Sequence, residues 1–131
     1  EFISLPTQKQ KNTKSTESMF QAKRISELML GKKALDITII DVRKITTLTD
    51  FFVICTSESE PQTRAITNHI HEEMKEDGIR AWHIEGYAKL DWVLMDYVNI
   101  VVHIFSRESR DYYDLERLWA DGQIDRVHDK K

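Results

Sequence analysis

Asp91 and Asp96 lie five residues apart in "DWVLMDYVNIVVHIF" and are the first candidates for chemistry, since paired carboxylates can hold a divalent metal or share a proton. On a strand, residues five apart face opposite sides, so this pair can do neither. Asp36 and Asp41 fail in the same way. A nucleotidyl-transfer site needs two carboxylates on one face, usually as Asp-x-Asp beside a Gly-Ser loop. The chain contains no Asp-x-Asp.

Histidine offers little more. His69 and His71 are two apart in a helical stretch, about 200° around the axis, and cannot grip one ion. His69 shares a side with Glu72 and Glu73, but such a pair lacks the three or four ligands zinc takes. His83 and Glu85 share a strand face, and whether they approach His103 is left open. These read as hydrogen-bonded or surface histidines, with no metal and no cofactor expected. Cys55 sits mid-strand without a neighbouring His and reads as a small buried apolar residue. As the single cysteine it excludes an internal disulfide and fits a reducing compartment. "TSESE" (56–60) opens a helix whose free N–H groups could hold an anion, but Glu58 and Glu60 would repel a phosphate and no Gly-rich cradle is present. Tyr112, Tyr113 and Trp119 fall at helical spacing. They read chiefly as core, with Tyr113 at a partner edge.

The elements that must position these residues follow from periodicity. Phe20, Ile25, Leu28 and Met29 predict a helix from about Thr16 to Leu30, ended by Gly31. "DITIIDV" (36–42) and "FFVICT" (51–56) read as strands. Ser59 followed by Gln62, with Pro61 in the first turn, predicts a second helix. Its buried stripe is Ala65/Ile66, Ile70 and Met74, and Gly78 stops it. "RAWHIE" (80–85) reads as a third strand, and "DWVLMDY" with "NIVVHIF" as a hairpin. "SRDYYDLERLWADG" reads as a last helix, capped by Ser109, with Leu115, Leu118 and Trp119 inward. The order α-β-β-α-β-β-β-α predicts an α/β (α+β) domain: a mixed sheet of about five strands flanked by helices. Period-2 alternation puts Trp92, Leu94 and Asp96 on one side of their strand. A Trp–Leu–Asp face open to solvent would be an apolar patch with a polar anchor, a pattern that marks binding sites.

The totals set outer bounds. The 131 residues suit one domain, and 40% hydrophobic with 31% charged residues suits a soluble globular protein. No apolar run approaches the roughly 18 residues of a membrane span. A net charge of −3 gives no general attraction to nucleic acid, so direct specific nucleic-acid binding is not expected and a basic protein partner is. Residues 1–17, poor in apolar side chains, read as a flexible arm, with Glu1-Phe2 open to reading as a cloning remnant and Met19 as near a natural start. The folded domain is expected over 18–122, and 123–131 as a charged tail.

Five blocks now support a family. "KALDITIIDV", "TDFFVICTSES", "EGYAKLDWVLMDY", "NIVVHIF" and "RDYYDLERLW" occur in an order and spacing that resembles the Iojap-type ribosomal silencing factors, over about Lys33 to Ala120. The resemblance implies a nucleotidyltransferase-like fold without catalytic carboxylates and a protein that is not an enzyme. It implies binding to ribosomal protein uL14 on the large subunit, which blocks small-subunit joining and represses translation when nutrients are short. It also implies a homodimer and a bacterial cytoplasmic location, with organelle relatives acting in large-subunit assembly. The uL14-facing residues it points to are Trp92 and Leu94 as apolar anchors and Asp96 as their polar companion, then Glu85, His103 and Tyr113. Two positions depart from the family pattern. Val98 replaces the usual Gly in Asp96-Tyr97-Val98-Asn99, which predicts a turn shifted so that Asn99 takes the positive φ. Ser57 replaces a usual Gly after "ICT". The competing readings are a nucleotide-binding or nucleotidyltransferase-like enzyme, and a general dimeric scaffold.

Overall fold

β-Branched and aromatic residues concentrate in short runs, and these runs are the strands of the computed structural model, which describes residues 4–128, with side chains from Thr16 onward. The rest of the expected arm and tail, 1–3 and 129–131, lies outside the described residues. The elements in chain order are α1 (Ser4–Gly31), β1 (Leu35–Asp41), β2 (Phe51–Ser57), α2 (Glu60–Glu76), β3 (His83–Glu85), β4 (Trp92–Asp96) and β5 (Ile100–Ser106). They are followed by α3 (Arg107–Tyr113), α4 (Leu115–Leu118) and β6 (Gln123–Arg126).

The strands form one mixed sheet in the order β3-β4-β5-β2-β1-β6. β2 and β5 run parallel, joined through α2 and the β3–β4 excursion, while the other neighbouring pairs are antiparallel. The sheet has six strands rather than about five, because Gln123–Arg126 in the expected tail pairs with β1. Three of its four residues are polar or charged, which hides it from a hydrophobicity pattern and suits an edge strand. Ile124, opposite Ile40, supplies its inward contact.

α1 and α2 cover one face. The main core there includes Ile25, Met29, Ile66, Ile70, Val53, Met95, Val102 and Ile104. In α1 the inward line is Ser18, Ala22, Ile25 and Met29, and Phe20 is 72% exposed rather than inward. Five residues separate Phe20 from Ile25, about 140° around the helix, so the two cannot share a narrow stripe. In α2 the buried line is Thr63, Ile66, Thr67, Ile70 and Met74, with Ala65 exposed. The Ser59 side chain accepts from Gln62 N–H, as predicted. The Gln62 amide accepts from Glu58 N–H and donates to the carbonyls of Lys32 and Lys33, tying the start of α2 to the end of α1.

The opposite face carries a smaller core of Ile40, Val42, Phe52, Ile54, Phe105 and Leu115 under α3 and α4. One last helix is predicted here, but two short ones occur. Asp114 breaks them at φ 46, a left-handed conformation that aspartate tolerates better than most residues. The cap is Ser106, whose Oγ accepts from Ser109 N–H, not Ser109 itself. Because the chain turns at Asp114, Leu115 is buried while Leu118 is 73% exposed, against the prediction that both face inward. Arg110 fastens this layer to the sheet. Its guanidinium donates to Asp36 O, Thr38 Oγ1, Thr56 Oγ1 and both oxygens of Glu116, at 2.6–3.1 Å.

Candidate partner-binding face

Strand alternation decides which side chains share a surface. β4 runs half-buried, buried, half-buried, buried, half-buried, so Trp92, Leu94 and Asp96 face away from the main core. Register extends this surface to both neighbours. Glu85 of β3 is opposite Leu94, and His83 is opposite Asp96. Across β5, His103 is opposite Leu94 and Phe105 is opposite Trp92. Tyr113 of α3 reaches the same place, its ring centroid 4.6 Å from that of Trp92. All six side chains singled out from the sequence therefore lie on one face of the sheet.

They are not equally available. Trp92, Leu94 and Asp96 are half-buried, Glu85 and Tyr113 exposed, and His103 only 4% exposed. His103 lies among aromatic rings. Phe52 meets it edge-on at 5.1 Å, Phe105 stacks parallel at 6.0 Å and Trp92 leans against it at 5.8 Å. The Trp92 indole N–H donates to His103 Nδ1 at 3.0 Å. Burial pushes the His103 imidazole down from its ordinary 6.5 to about 3, so the ring is neutral. Phe52 and Phe105, which complete this cluster, carry no sequence signal of their own beyond strand propensity. Their places in "FFVICT" and "NIVVHIF" become informative only through the pairing of β2 with β5.

The polar members are arranged more openly. Glu85 pairs with His83 at 2.6 Å along β3. Leu94 occupies the strand position between Glu85 and His103, so this pair and His103 do not meet. Asp96 Oδ1 accepts from Val98 N–H at 2.7 Å, which steadies the β4–β5 turn. That turn departs from expectation. Val98, not Asn99, takes the positive φ, at 75°. Asn99 N–H bonds to Tyr97 O across it, and Tyr97 N–H bonds to Ile100 O. A left-handed central residue under an i to i+2 bond is the strained form of γ-turn.

The face presents aromatic, aliphatic and acidic side chains side by side. Among the described residues no group of three or more His, Cys, Asp or Glu is gathered to hold a metal ion. Burial pushes the Cys55 thiol up to about 12, far from a ready nucleophile. The "TSESE" helix start borders a depression of about 420 Å³ that Glu58, Glu60, Asp91 and Glu108 make acidic. Arg107 at its edge is already drawn toward Asp36 and Glu58. An anionic nucleotide would meet repulsion there.

Comparison with known proteins places the chain among relatives. A family model described as ribosomal silencing factor during starvation matches residues 13–131. The ribosomal silencing factor RsfS of Bacillus subtilis is 39% identical over 93 residues, covering 71% of this chain and 79% of the relative. The chloroplastic protein Iojap of Zea mays is 34% identical over 104 residues, 77% of this chain and 42% of that longer protein. A crystal structure of a Chromobacterium violaceum protein superposes with a TM-score of 0.72 at 34% identity, covering 82% of this chain and 87% of that one.

Proposed function

The chain belongs to the ribosomal silencing factor family, and from that premise we propose that it binds large-subunit protein uL14 through the Trp92–Leu94–Asp96 face. Seated there, it occupies the volume the small subunit needs, blocks subunit joining and represses translation. The mechanism is exclusion and needs no catalysis.

The observation that carries this reading is the convergence of Trp92, Leu94, Asp96, Glu85 and Tyr113 on one side of the sheet. An aromatic and an aliphatic side chain, both half out of solvent, suit the centre of an interface. The acids beside them suit a basic partner, and a net charge of −3 does not oppose its approach. With this reading we carry a homodimer as the state of the free protein, and the bacterial cytoplasm as its place.

Co-sedimentation with purified large subunits tests it. Trp92→Ala should weaken binding by roughly 30-fold, the scale of an interface hot spot of about 2 kcal/mol, while circular dichroism shows the fold retained. Binding as tight as that of the unsubstituted protein would remove this face from the interface. Asp96→Lys should weaken binding most at low salt, where screening is least.

A further inference from the structure

Buried polar groups normally satisfy both of their hydrogen-bonding ends, and His103 satisfies one. Its Nδ1 accepts from the Trp92 indole, so the proton of the neutral ring is on Nε2. That Nε2 is buried and has no partner among the described residues. A leucine or phenylalanine in the same apolar surroundings would leave no donor unsatisfied. What the imidazole supplies that they cannot is an acceptor for Trp92. The bond is also diagonal. The Cα partner of Trp92 across the strands is Phe105, and the indole reaches two residues back along β5 to find His103.

We propose that His103 is a positioning residue of the docking face, holding the Trp92 indole N–H and thereby fixing the ring in the orientation it offers to a partner. Deprived of this acceptor, the N–H would seek water, and the ring would turn away from Phe105 and Tyr113, which it meets at 5.0 and 4.6 Å. With the acceptor in place, the N–H is spent internally, and the partner meets the ring surface together with Leu94. Ordering a large side chain before association lowers the entropy lost on docking. The inference rests on the reading of Trp92 as a partner anchor.

Three substitutions test it, read by the indole N–H signal of Trp92 in a ¹⁵N spectrum and by co-sedimentation with large subunits. His103→Asn places a carbonyl oxygen close to the Nδ1 position. His103→Leu removes the acceptor, and His103→Gln keeps an amide but moves it toward the Nε2 end. With Asn the indole signal should stay near its native position, and binding should hold within about twofold. With Leu and Gln the signal should move and exchange faster with solvent, and binding should fall by about five- to tenfold, the loss of one hydrogen bond. An unmoved indole signal in the Leu and Gln variants overturns the proposal. So does a moved signal with undiminished binding, provided Trp92→Ala binds weakly. Undiminished binding by Trp92→Ala would instead overturn the anchor reading, and the positioning role with it. Should the Leu variant fail to fold, the Asn and Gln variants decide the matter between them.

Discussion

Gly86 lies directly against the backbone of Trp92: a Cβ on Gly86 would be 2.0 Å from the Trp92 carbonyl oxygen and 3.0 Å from its carbonyl carbon. Gly86 also adopts φ +84, so a side chain is opposed twice, by contact and by conformation. The contact is with backbone, which cannot swing aside as a side chain can. Gly86→Ala should therefore push the start of β4 outward and destabilise the fold by about 3 kcal/mol. Because β4 begins at Trp92, large-subunit binding should fall with stability. Thermal unfolding of the variant is the check, and an unchanged midpoint would show that the turn relaxes freely.

What is legible in the sequence follows from which features are local. Alternation along β4 is local, so the residue order alone puts Trp92, Leu94 and Asp96 on one side. The five principal strands and the Ser59 cap are visible for the same reason. Features that depend on pairing are not. β6 exists because β1 has a free edge, and its own residues scarcely suggest a strand. The bond from Trp92 to His103 needs both the β4–β5 register and a diagonal reach. Val98 at positive φ is hidden because valine is uncommon in that role, and Asp114 because aspartate tolerates the conformation without signalling where it is adopted.

Val98→Gly should stabilise the protein. Valine is β-branched, and at φ 75 its side chain crowds the backbone, whereas glycine enters this region without penalty. Val98 is 55% exposed, so little buried surface is lost on removing its side chain. Relief of the strain should exceed the entropy gained by the unfolded chain, for a net gain of about 1 kcal/mol. The urea midpoint should rise with the slope unchanged. A lower midpoint would mean that the Val98 side chain makes contacts worth more than the strain.

Arg110→Met should be among the more damaging substitutions outside the cores. The Arg110 side chain is 9% exposed and that of Glu116 is 17%, so removing the cation strands a mostly buried carboxylate. Arg126, 3.1 Å from the same carboxylate, compensates in part. The expected loss is about 3 kcal/mol. Arg110→Met combined with Glu116→Leu should recover much of it, since both charges then disappear together. Urea unfolding of the single and double variants measures the coupling, and strictly additive losses would show that Arg110 acts mainly through Asp36, Thr38 and Thr56.

Stability should fall on acidification over two overlapping ranges, the upper set by His103 and the lower shared by His103 with Glu116 and with Asp41, whose carboxyl the Arg43 hydrogen bond lowers. Burial holds His103 neutral in the fold, at about 3 against an ordinary 6.5. Between those values the unfolded chain binds a proton that the native chain refuses, so stability is full above about pH 6.5 and declines below it. One proton limits this slope to about 1.4 kcal/mol per pH unit. For Glu116, burial acts to raise the carboxyl, but hydrogen bonds and charge from Arg110 and then Arg126 outweigh it, and the group lies below its ordinary 4.5. Its contribution is present above about pH 4.5 and is lost as the pH falls through the lowered value. Above about pH 4.5 the decline thus belongs to His103, and below it Glu116 and Asp41 add to the His103 slope. Urea midpoints of His103→Leu should flatten between about pH 6.5 and 4.5. Glu116→Gln should keep that upper slope and make the slope below about pH 4.5 shallower. An unaltered upper slope in His103→Leu would mean that His103 is not the buried neutral group its surroundings make it.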